Sequence, residues 1–161
     1  MLSKLSKQVA DGMLQRGQWL AVAESCTGGL VAQILTDNPG SSAWFERGLV
    51  TYSNLAKTEL LDVSPELIGE HGAVSEASVA AMARGLLRAA PVDWGIAITG
   101  IAGPGGGSED KPVGTVWIAW IQRGHGPESK RFHFEGKREA VREQAALAAL
   151  EGLLYRVGLL G

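Results

Sequence analysis

Apolar residues along the chain follow two rhythms, one helical and one short and unbroken. Leu2, Leu5, Val9, Met13 and Leu14 recur at helical spacing and predict an amphipathic helix that ends near Gly17. The unbroken run 19–23 predicts a first strand. A second helix is expected over about 27–36, stopped by Asn38-Pro39-Gly40. Residues 47–53 are rich in β-formers and read as strand two, followed by a short helix over Asn54–Leu61. Ser64-Pro65 has the form of an N-cap with proline at the first helical position, and Ser75 of a cap to a long alanine-rich helix that Pro91 closes near Ala90. Residues 94–99 are apolar almost throughout, the pattern of a strand buried on both faces. Residues 114–122 and 130–135 predict a hairpin turning near 124–127, and 138–157 a closing helix.

Strands alternating with helices, plus a terminal hairpin, predict an α/β protein: a three-layer α/β/α sandwich with a mixed, mostly parallel sheet of about five strands. At 161 residues it is expected to be one domain spanning 1–161. In such sheets ligands bind beyond the carboxyl ends of the parallel strands. Three loops, 24–29, 52–57 and 99–108, should therefore share one edge.

Composition narrows the function classes. A net charge of −2 gives no electrostatic footprint for nucleic acid, and no stretch is long and apolar enough for a membrane helix. The first residues lack a secretory h-region. The single cysteine, Cys26, rules out an intramolecular disulfide and a cysteine metal cluster, so a cytoplasmic setting is expected. The 22 glycines matter because many of them sit in two of those three loops.

In Ala-Glu-Ser-Cys-Thr-Gly-Gly (23–29) a strand delivers a tight turn into a helix, which sets Ser25 in the position of a nucleophile elbow without the Gly-x-Ser-x-Gly pattern. Ser25 also suits a plain helix cap. Thr27 and the N–H groups of Gly28 and Gly29 could form an oxyanion hole or bind phosphate. His71, His125 and His133 fall in a turn, a hairpin and mid-strand, away from the expected edge, so the base that could serve Ser25 is Lys57, one helical turn past strand two. Tyr52 could orient it or donate to substrate. A solvated lysine and a packing tyrosine are the plainer alternatives. The loop 99–108, carrying Thr99, Gly100 and Gly103, suits close backbone approach to a phosphate or ribose, and equally a surface loop. Lys111 and Arg142 are possible phosphate partners or ordinary surface charges. No histidine pair shares a helix face, and Glu109-Asp110 reads as a solvated pair, so no metal is expected. Ser42, in a second small-residue turn, is a reserve nucleophile, expected at the far end of strand two.

Taken together, residues 23–29, Gly-Ser-Ser-Ala-Trp-Phe (40–45), Val-Thr-Tyr-Ser-Asn-Leu-Ala-Lys (50–57), His-Gly-Ala-Val-Ser (71–75), Thr-Gly-Ile-Ala-Gly-Pro-Gly-Gly (99–106) and Lys-Pro-Val-Gly-Thr-Val (111–116) resemble the CinA C-terminal domain family, in its stand-alone form. The resemblance implies a three-layer α/β/α fold, often dimeric, that deamidates nicotinamide mononucleotide to nicotinic acid mononucleotide and ammonia in pyridine-nucleotide recycling. It implies a Ser/Lys dyad and no metal or cofactor. Carried to this chain, Lys57 is the base, Ser25 the nucleophile on the topological ground above, and Thr99 with its glycine loop, Gly100 and Gly103, falls where the nucleotide is held; Thr27, Gly28 and Gly29 are expected to contact the substrate by stabilising the oxyanion, and Arg142 as a phosphate partner. A homodimer acting on a small-molecule nucleotide is expected. A non-catalytic nucleotide-binding domain and a metal-dependent hydrolase are the alternatives.

Overall fold

The computed structural model describes residues 1–159. Strand β1 (Leu20–Glu24) is buried at every position, and β3 (Trp94–Gly100) is buried as far as Thr99. They pair in parallel, with β2 (Phe45–Val50) parallel on the other side of β1. Strand β4 (Thr115–Gln122) runs antiparallel to β3, and β5 (Glu128–His133) antiparallel to β4, giving the order β2-β1-β3-β4-β5. Four of the five strands therefore point one way and β4 alone is reversed. The carboxyl end of β5 consequently emerges on the same edge as those of β1, β2 and β3.

Successive strand residues face opposite sides of a sheet, and each side here buries its own layer of helices. Leu20, Val22, Ile96, Ile98 and Ile118 pack beneath α1 (Leu2–Arg16), α2 (Leu30–Thr36) and α6 (Arg138–Arg156). Ala21, Ala23, Ala97 and Ala119 pack beneath α3 (Asn54–Leu61), α4 (Pro65–His71) and α5 (Glu76–Ala89). This is the three-layer α/β/α arrangement anticipated from the alternation of elements. Short alanine side chains on the second face let that helical layer sit close to the sheet.

Register decides what meets at the functional edge. Glu24 is level with Val50 on one side and Ile98 on the other. The Ser25 N–H then donates to Ile98 O (3.0 Å) and the Thr51 N–H to Glu24 O (2.8 Å), extending both ladders by one step. Ser25, Thr51 and Thr99 therefore lie at one level, the first two just past the ends of β1 and β2.

Some boundaries differ from the periodic pattern. Trp19 lies before β1, its carbonyl accepting from the N–H groups of Asp93 and Trp94. Strand β2 ends at Val50 rather than at 53 because the carbonyls of Thr51 and Tyr52 are taken by a lysine side chain instead of a neighbouring strand. Strand β5 spans Glu128–His133 rather than 130–135. Helix α2 begins at Leu30, not at Thr27, because residues 26–29 form a turn in which Gly28 (φ 61°) and Gly29 (φ 103°) are left-handed. The Glu24 carboxylate then accepts from the N–H groups of Val31 (3.0 Å) and Ala32 (2.9 Å), capping the helix from the end of the preceding strand.

Candidate active site

At the shared edge is a cavity of about 190 Å³ lined by Ser25, Cys26, Tyr52, Asn54, Lys57, Ala73, Val74, Thr99, Gly100, Ala102 and Arg138. A larger groove of about 660 Å³ lies between α1, α6 and β5, lined by Leu2, Phe132, Phe134 and Leu147 among others; its polar lining residues, Ser3, Glu143, Gln144 and Glu151, include no lysine or histidine. The chemistry is concentrated in the smaller one.

Lys57 is brought there by local structure. The Ser53 hydroxyl accepts from the Ala56 N–H and starts α3 directly after β2, so the first turn of the helix aims Lys57 back under the strand end. Its side chain is 1 % exposed. Nζ donates to Thr51 O (2.8 Å) and Tyr52 O (3.1 Å) and lies 3.0 Å from Ser25 Oγ. Burial holds the Lys57 amine below the ordinary lysine pKa, because a charged ammonium loses its hydration there. A neutral amine has two N–H donors and one lone pair. In that form the two carbonyls would take both donors and leave the lone pair for Ser25 Oγ, which also lies 3.5 Å from Tyr52 O. Ser25 itself is 7 % exposed, at the cavity floor.

The neighbouring thiol is not a rival nucleophile. Burial pushes Cys26 up to about 12, so it stays protonated at neutral pH. Its sulfur packs against Gly100, where an added Cβ would sit 3.0 Å from Sγ and 2.7 Å from Val116 Cγ2; only glycine lets β3 pass this close to the Ser25 turn.

Residues 2–157 match the model of the CinA C-terminal domain. The chain belongs to the CinA C-terminal domain family. It is 54% identical over 153 residues to "Nicotinamide-nucleotide amidohydrolase PncC" of Escherichia coli (strain K12), covering 94% of this chain and 92% of that protein. It is 48% identical over 155 residues to the protein of the same name from Pseudomonas putida, covering 95% of each. Among solved structures it is similar to the competence damage-inducible protein A (ComA) from Klebsiella pneumoniae subsp. pneumoniae MGH 78578, with a TM-score of 0.93 and 42% identity over 97% of this chain and 96% of that one.

Within this family fold the residues singled out from sequence divide into two groups. Ser25, Lys57, Tyr52, Thr99 and Gly100 line the cavity together. The Thr99 hydroxyl donates to Ala73 O (2.9 Å), tying the 73–74 segment to the cavity wall. The Tyr52 carbonyl serves Lys57 while its ring stands 58 % exposed at the rim. Thr27, Gly28, Gly29 and Arg142 are, contrary to expectation, not among the lining residues. Thr27 is fully buried, the Gly28 N–H is spent on Ser25 O (3.0 Å), and Arg142 donates to Thr27 O (3.0 Å), so these residues brace the turn from behind. Gly103 sits next to the lining residue Ala102, and its carbonyl accepts from Arg138 (2.8 Å). Lys111 is not among the lining residues; its amine donates to His71 O (2.9 Å), two residues before the lining residue Ala73. Ser42 is exposed in the 3₁₀ turn Ser41–Ala43 that precedes β2, a whole strand length from this edge. Among the described residues no three His, Cys, Asp or Glu side chains converge to hold a metal ion.

Sequence reasoning missed Arg138, Asn54 and the 73–74 segment. For Arg138 a signal was present: it opens the helix that follows β5, and a strand antiparallel to a reversed strand must finish on the functional edge.

Proposed function

We propose that this chain hydrolyses the carboxamide of nicotinamide mononucleotide, giving nicotinic acid mononucleotide and ammonia, with Ser25 as nucleophile and Lys57 as base. The reaction follows from the similarity to the nicotinamide-nucleotide amidohydrolases of Escherichia coli and Pseudomonas putida. The observation that carries the mechanism is the Lys57 amine, buried, satisfied by two carbonyls and 3.0 Å from Ser25 Oγ.

Ser25 Oγ attacks the carboxamide carbon as its proton passes to Lys57 Nζ, forming a C–O bond and moving the carbonyl electrons onto oxygen. The backbone N–H of Cys26, a lining residue directly after the nucleophile, would donate to that oxyanion. The Lys57 ammonium then gives its proton to the departing nitrogen, the C–N bond breaks and ammonia leaves an ester on Ser25. Lys57, neutral again, takes a proton from water, which attacks the ester and releases the acid; the proton returns to Ser25. Each lysine charge is transient, which suits a site where burial disfavours a permanent ammonium.

The cavity volume fits the reacting end of this substrate. An apolar cavity of about 150 Å³ admits benzene, so about 190 Å³ holds a pyridine carboxamide but not a whole nucleotide.

Ammonia release from nicotinamide mononucleotide by the purified protein tests the reading, with Ser25→Ala as the comparison. We expect turnover in the native chain and a loss of more than about a thousandfold in Ser25→Ala, with an unchanged melting transition. Full activity in Ser25→Ala would remove it as nucleophile, and saturable binding of the nucleotide without ammonia release would contradict the activity itself.

A further inference from the structure

We propose that Arg138 recognises the anionic group of the substrate at the cavity mouth and so sets the preference for a nucleotide over its uncharged nucleoside; this rests on the deamidation reading above. With a ring-sized floor, the remainder of the substrate must project past the rim, and Arg138 and Tyr52 stand there.

Charge and hydrogen bonding single out this residue. The lining contains two basic side chains and no carboxylate. One of them, Lys57, is committed to Ser25 and two carbonyls. The other, Arg138, forms no ion pair among the described residues. Its Nη1 donates to Gly103 O (2.8 Å) and its Nη2 to Tyr52 Oη (2.8 Å), both uncharged partners that orient the guanidinium without neutralising it. A guanidinium carries five N–H donors. Two are engaged, which leaves Nε–H and one N–H on each Nη for a phosphate, in a fork whose geometry suits bidentate oxyanion binding. The other arginine and lysine considered for this role are not among the lining residues, Arg142 donating to Thr27 O and Lys111 to His71 O.

The test compares kcat/KM for nicotinamide mononucleotide with that for nicotinamide riboside in the native chain, Arg138→Gln and Arg138→Lys. Charge-assisted hydrogen bonds to one guanidinium correspond to roughly a ten- to hundredfold change. The nucleotide-over-nucleoside ratio should fall by that factor in Arg138→Gln, mainly through KM, and recover in part in Arg138→Lys. An unchanged ratio, including an equal loss on both substrates, overturns the proposal, because Arg138 would then act only by holding Tyr52 and the 103 loop. Calorimetric binding of ribose 5-phosphate to the native chain and to Arg138→Gln reads the same contact without turnover. Weaker binding to the variant supports the proposal and equal binding overturns it, whereas failure of the native chain to release ammonia from the nucleotide counts against the deamidation reading alone.

Discussion

The floor and the mouth of one small cavity each hold a basic side chain, and the two differ in nearly every physical respect. Lys57 at the floor is buried, has its donors taken by backbone carbonyls and is pushed toward the neutral amine. Arg138 at the mouth is exposed, keeps part of its donor fork free and carries a group that does not deprotonate in proteins. A lysine suits proton transfer because its charge can be removed by desolvation; an arginine suits anion binding because its charge cannot. The difference teaches that cations in a site are sorted by solvation and by the charge of their partners rather than by distance to the substrate alone.

The strongest way to break the contrast is to exchange the chemistry at the floor. Lys57→Arg keeps the positive charge and removes the lone pair, while Lys57→Met removes both; each should lower the rate of ammonia release by more than about a thousandfold. A Lys57→Arg protein that keeps activity within tenfold would mean that the lysine acts as a fixed charge and not as a base. The exchange at the mouth, in Arg138, has the intermediate effect described above.

The smallest effect concerns the wall that keeps the two ends in register. Gly100→Ala would set a Cβ 2.7 Å from Val116 Cγ2 and 3.0 Å from Cys26 Sγ. Overpacking of this kind costs about 1–3 kcal/mol, so thermal or urea unfolding should show a loss in that range. The shift reaches Cys26, next to the nucleophile, so kcat should fall while the nucleotide-over-nucleoside ratio stays constant. A change in that ratio would show floor and mouth to be coupled through the wall.

Much of this was legible in the chain itself. The unbroken apolar run in β3, the breaks after β1 and β2 and the cap that starts α3 bring Ser25, Tyr52, Lys57 and Thr99 to one edge by topology alone, because parallel strands end together. The turn after β1 was not legible in the same way. The Thr-Gly-Gly segment looked like a helix start open to anions, yet the amides of α2 are capped by Glu24, a side chain seven and eight residues earlier whose reach depends on the tertiary turn. The sequence points to Arg142 and passes over Arg138 for a related reason. Both lie on α6, and helical periodicity does not say which turn of a helix meets a cavity built by other elements; the direction of β5 does.

The central claim, that Lys57 works as a neutral base on Ser25, is tested most directly by the pH dependence of kcat/KM for ammonia release. A lysine held below its ordinary pKa is protonated, and unable to accept the Ser25 proton, at pH below that lowered value, and it becomes competent as pH rises through it. The same depression means that the unfolded chain binds the extra proton over the interval between the lowered value and about 10.4, so stability should also rise with pH across that interval. The profile is predicted to climb through one ionisation below about 10.4 and then level off, a limb that no histidine of the cavity lining could supply because the lining contains none. A rate that instead tracks an unperturbed lysine, still climbing through about 10.4, would contradict the account.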